Sequence, residues 1–153
     1  MNNVEFFYDA IICGTFGTAL MSGVDWCLSN VFNQKQYVVK ILGIMLVHAN
    51  QVNRQSKFRV LVTGTAAHFL TGIFFAGIYI VMWKSGKGQP VFTTGLWWGF
   101  LNGLMGILIW RLYFLMHPDP PVVNLPVYLT GILAAHIFFG AGITGCYQLL
   151  HWY

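Results

Sequence analysis

Four long apolar runs, separated by short polar breaks, organise the 153-residue chain. The pattern predicts helical spans over about 6–32, 58–83, 92–116 and 126–150. Each exceeds the roughly 20 residues that a helix needs to cross the ~30 Å hydrocarbon core of a bilayer. The turn from Lys84 to Pro90 and the connector from His117 to Pro121 stop the helices beside them, because Gly and Pro interrupt the helical hydrogen-bond ladder. Pro126 suits the first turn of the last span. A fifth piece, about residues 35–50, lies between the first two spans. Its apolar part, Tyr37 to Val47, reaches only about 16 Å as a helix, too short to cross. It is expected either to lie flat as an interfacial amphipathic helix or to re-enter the membrane.

The spans repeat. Ala66-Ala67-His68 with Gly72, Gly77 and Tyr79 returns as Ala134-Ala135-His136 with Gly140, Gly145 and Tyr147, at a constant offset of 68 residues. The first and third spans match more weakly at an offset of 84, through Phe16/Phe100, Leu20/Leu104, Met21/Met105 and Trp26/Trp110. The chain therefore reads as an all-α membrane four-helix bundle built from two helical hairpins. Each unit crosses twice, so both enter in the same sense, as parallel repeats about an axis along the membrane normal.

Composition agrees. The chain is 57% hydrophobic and 8% charged, against about 25% charged for a soluble domain. The 17 glycines suit helices that pack closely in lipid. No basic patch with interleaved aromatics points to nucleic acid. Cys13, Cys27 and Cys146 form no CxxC pair, which leaves neither a disulfide framework nor a zinc site. The start has no basic n-region, so the first run is expected to stay as a span rather than be cleaved. Lys35, Lys40, Arg54, Lys57, Arg59 and Arg111 gather at one end of the spans. The positive-inside rule puts the 33–57 and 117–125 connections in the cytoplasm and both termini outside. Trp26 and Trp110 are expected in one aromatic belt, and Trp83, Trp97, Trp98 and Trp152 in the other. The remaining Phe and Trp side chains are read as facing lipid or partners.

His68 and His136 are the first candidates for chemistry. Each sits near mid-membrane, where an ionisable group is a functional candidate by default. One reading is a hydrogen bond to a neighbouring helix. A second is axial ligation of haem b or another tetrapyrrole, with Gly72 and Gly140 leaving room beside the rings. A third is a proton or substrate path. Asp25 and Arg111 fall at similar depth and are expected to pair as a structural salt bridge. Asn102 is expected to hydrogen-bond between helices. His48, His117 and His151 are read as solvated, with His117 suited to the C-terminal end of its helix. No Gly-x-Ser-x-Gly, His-Glu-x-x-His or phosphate-cradling loop occurs, so an enzyme is not expected.

The repeated Ala-His-x-x-x-Gly-x-x-x-x-Gly-x-Tyr, together with Gly17-Thr18-Ala19-Leu20-Met21-Ser22, resembles a group of small four-span bacterial membrane proteins of no assigned activity. The resemblance implies the fold and a bacterial inner membrane, but no activity. The expected function is a non-catalytic accessory subunit of a larger respiratory or energy-converting membrane complex, packed against partner helices and bound lipid. The alternatives are a small haem-b electron carrier ligated by His68 and His136, and a small transporter or channel.

Overall fold

The computed structural model describes residues 2–32, 37–47, 54–118 and 120–151. Its elements are α1 (Asn3–Val31), α2 (Val38–Val47), α3 (Arg54–Lys84), α4 (Phe92–Met116) and α5 (Leu125–Leu150). Four of them, α1, α3, α4 and α5, are long and apolar enough to cross a membrane, and their outer surfaces are apolar. The protein is a multi-pass, all-helical membrane bundle. The spans fall within a few residues of those expected from the apolar runs. Lys35, His48, Trp152 and the Asp119 position of the connector lie outside the described residues.

The helices pack in the row α3, α1, α5, α4. Glycine sets the spacing where backbones touch. A Cβ at Gly14 would run into the Ile73 backbone of α3, and one at Gly99 would meet the His136 and Ile137 backbone of α5. Small residues of this kind let helices approach in lipid, where dispersion replaces the hydrophobic drive. The two hairpins, α1 with α3 and α4 with α5, thus share one packing mode. The contacts between the hairpins do not match. α1 lies along α5, whereas α3 and α4 are held apart.

Two devices bridge the α3–α4 side. At one end stands an aromatic box. Trp98 of α4 meets Tyr79 edge-on at 5.1 Å and stacks on Trp83 at 6.1 Å, and Trp83 lies 4.9 Å from Tyr147 of α5. Tyr79 and Trp83 are buried, so these rings form core rather than the lipid-facing belt expected of Trp83 and Trp98. Trp110, expected in the opposite belt, is buried too, edge-on to Tyr128 at 5.3 Å. Trp26 and Trp97 do face outward.

At the other end α2 is a wedge. Val38, Ile41 and Met45 are buried with Trp110, Tyr128 and Ile132 of α4 and α5. On its other side α2 presses onto α3, where a Cβ at Gly43 would strike Val60 O and one at Gly64 would strike Val39 O. The N-terminus of α2 meets Asp25, six residues before the end of α1. The piece is therefore packed against α3 on one side and against α4 and α5 on the other. It is apolar around most of its girth and has helices on two sides.

Gly43→Leu and Gly64→Leu each force a side chain into a backbone carbonyl. Each is expected to lower the unfolding midpoint in mild detergent, by the ~1–3 kcal/mol of overpacking or more. Gly23→Ala, with nothing within 4 Å of the new methyl, should leave it unchanged.

Candidate functional site

Between the aromatic box and α2 lies a cavity of about 240 Å³. His68 and Phe75 of α3 line it with Asn102 and Trp110 of α4 and His136 and Phe139 of α5. The two repeat-related histidines thus open onto one space, which their sequence spacing alone did not require. His68 is 8% exposed, and its ring has no hydrogen-bond partner among the described residues. His136 Nδ1 donates to Ile132 O at 2.8 Å, one turn back on its own helix. That bond fixes the neutral ring with Nε2 as an acceptor.

The glycines beside the histidines have a different task from the one expected. A Cβ at Gly72 would run into Thr18 Oγ1 of α1, and one at Gly140 into Gly95 O of α4. Gly140 closes a helix–helix contact away from the cavity, whereas Gly72 closes one against Thr18 and also lines the cavity wall. Room beside the His136 ring comes from Gly106 instead, where a Cβ would stand 3.2 Å from Cε1 and 3.4 Å from Nε2. That glycine belongs to α4, across the helix interface, and no motif around either histidine marks it.

Asn102 also departs from expectation. Its Nδ2 is buried and has no hydrogen-bond partner among the described residues. Thr71 Oγ1 donates to Ala67 O at 2.8 Å, so its hydrogen is already committed. The cavity wall therefore combines two imidazoles, one amide with an unmet donor, the side chains of Thr71 and Tyr113, and flat aromatic surface. Among the described residues no Asp, Glu, Lys or Arg lines it.

The expected Asp25–Arg111 ion pair does not form. Asp25 Oδ2 accepts the backbone N–H of Val38 at 2.8 Å, and Arg111 is exposed. α5 stands between α1 and α4, which keeps the two side chains apart, and the first N–H of α2 takes the carboxylate. A helix N-terminus carries unpaired N–H groups and a partial positive charge, so a buried carboxylate is a favourable cap.

Two histidines read as solvated are engaged. His117 is buried, and its Nε2 donates to Met45 O at 3.2 Å, tying the end of α4 to the end of α2. His151 Nε2 donates to Asp9 Oδ2 at 2.9 Å, and Lys84 Nζ stands 3.8 Å from the same oxygen. Asp9 is buried, so this cluster clasps α1, α3 and α5 at the Trp83 end. Among the described residues no group of three or more His, Cys, Asp or Glu side chains stands ready to hold a metal ion, and all three cysteines are free.

Asp25→Ala leaves the α2 N-terminus uncapped and should cost about 1–2 kcal/mol in a detergent unfolding experiment. Asp25→Asn, which keeps an acceptor oxygen, should lose less, and Arg111→Ala should change nothing. Comparable losses from Asp25→Ala and Arg111→Ala would restore the ion pair. Compared with known proteins, the chain matches no family model, no curated protein and no solved structure.

Proposed function

We propose that the protein is a non-catalytic, ligand-carrying subunit of a larger bacterial inner-membrane assembly, holding a small molecule between His68 and His136. The observation that carries this reading is the meeting of both repeat-related imidazoles and the Asn102 amide, whose Nδ2 has no partner among the described residues, on one cavity. A bundle needing only packing would fill such a space with apolar side chains, because an unmet buried donor costs about 1–3 kcal/mol. A ligand that accepts a hydrogen bond removes that cost.

The assembly half of the proposal rests on α4. Trp97, Leu101, Leu104, Leu108, Leu112 and Leu115 are all exposed. They follow one another in steps of four, three, four, four and three residues. Such a seam suits knobs-into-holes packing against another helix, beyond what contact with lipid requires. The cation-rich end, with Lys57, Arg59 and Arg111 exposed, faces the cytoplasm in this reading, and both termini lie outside.

A tetrapyrrole is the alternative occupant. The imidazoles suit an iron, and the His136 Nδ1 bond is the outer contact that orients a ligating ring. The cavity is nevertheless below the ~300 Å³ at which drug-sized ligand sites begin. A macrocycle would require α3 and α4 to part.

Purification in mild detergent, followed by a visible spectrum and mass spectrometry of the extract, tests the reading. A small molecule should co-purify, and His68→Ala and His136→Ala should each reduce it at least tenfold. An extract unchanged by either variant contradicts the binding role. A chain that runs as a monomer and draws down no other membrane subunit contradicts the assembly role. A Soret band lost in both variants identifies the alternative.

A further inference from the structure

Resting on the binding role above, we propose that the ligand is a lipid-soluble quinone, its ring between His68 and His136 and its apolar tail leaving between α3 and α4. The volume sets the ring size. A cavity of about 240 Å³ exceeds the ~150 Å³ that takes benzene and falls short of a drug-sized site. One ring or two fused rings fit. The walls set its shape, because Phe75, Trp110, Tyr113 and Phe139 offer flat faces and edges for a planar ring.

The polar atoms set its chemistry. Among the described residues no Asp, Glu, Lys or Arg lines the wall, so an ionic ligand would be buried without a counter-charge. The occupant is therefore neutral. Asn102 Nδ2 is an unmet donor, and a quinone carbonyl is an acceptor. His136 Nε2 is an acceptor while Nδ1 is bonded to Ile132 O, and a quinol hydroxyl is a donor. The unpartnered ring of His68 presents either role according to its tautomer. One wall thus accommodates both the oxidised and the reduced form, which few neutral planar molecules require. The exit follows from the packing. α3 and α4 are bridged by the aromatic box and by α2 but do not lie along each other at the level of the cavity. An alkyl tail can pass between them into lipid.

The test uses the whole protein in lipid nanodiscs, stripped of native ligand, with 2-methyl-1,4-naphthoquinone bearing a decyl tail as the probe. Quinones quench indole fluorescence, and Trp110 lines the site. Saturable quenching is expected, with at least half of it lost in Trp110→Phe. Affinity should fall tenfold or more in Asn102→Leu and in His68→Phe, and stay unchanged in Leu108→Ala on the outer face. Decylnaphthalene, which has the ring and tail without the carbonyls, should bind at least tenfold more weakly. Because the polar variants could fold poorly, an infrared spectrum of the wild-type complex provides a second readout. The bound carbonyl stretch should shift to lower frequency than in empty nanodiscs.

Equal binding of decylnaphthalene, or an unshifted carbonyl, overturns the quinone. If the native extract instead yields a different molecule that depends on His68 and His136, the binding role stands and the quinone assignment fails. If neither the extract nor the probe responds to either histidine, the binding role falls with it.

Discussion

The hydrogen bond from Val38 N–H to Asp25 Oδ2 is the contact on which the rest of the layout depends. A helix N-terminus buried among apolar side chains lacks water to satisfy its first N–H groups, and each left open costs about 1–3 kcal/mol. Asp25 answers one of them, and the positive end of α2 in turn makes a buried carboxylate tolerable. With its N-terminus held there, α2 presses onto α3 through Gly43 and Gly64. Its other side fills the space against Trp110 and Tyr128. The bulk of α2 keeps α3 from closing on α4, and the Tyr79–Trp83–Trp98 box does the same at the far end. What remains between those two stops is the cavity.

One extra helix, α2, between the first two of four spans gives this asymmetry a simple physical origin. Two equal hairpins would meet in two equal seams. Here the α1–α5 seam is closed, through Gly17 and Gly142, while the α3–α4 seam is propped open. The same offset that relates the first and third spans places Asn102 where Thr18 stands in α1. Thr18 donates to Gly14 O at 2.6 Å and fills the notch at Gly72. Asn102, its counterpart, stands at the open seam with its Nδ2 unmet. Divergence at that one pair of positions turns a packing group into a polar group on a cavity.

The spans were legible because apolar length is a direct reading of composition, and both ends of 92–116 agree with α4. The prominence of His68 and His136 was also legible, since a repeated motif survives in the order of residues. Other features are not written in residue types. The partner of Asp25 is a backbone N–H, which every non-proline residue carries, so Arg111 looked the natural mate. The His151–Asp9 bond joins positions 142 residues apart and needs the fold to bring them together. Gly72 and Gly106 are the same residue type with opposite duties, one closing a helix contact and the other lying beside a ring. Trp83 and Trp110 resembled belt residues by position, yet an α2 wedge and an aromatic box bury them.

Proximity of positions 68 and 136 across one cavity is most directly measured with a thiol-bridging bimane, which fluoresces only when it links two cysteines. In a background lacking Cys13, Cys27 and Cys146, the His68→Cys/His136→Cys double variant should become fluorescent in native membranes. Each single variant should stay dark. A double variant no brighter than the two singles together would mean that the repeat-related side chains do not share a cavity, and would contradict the α3–α4 site.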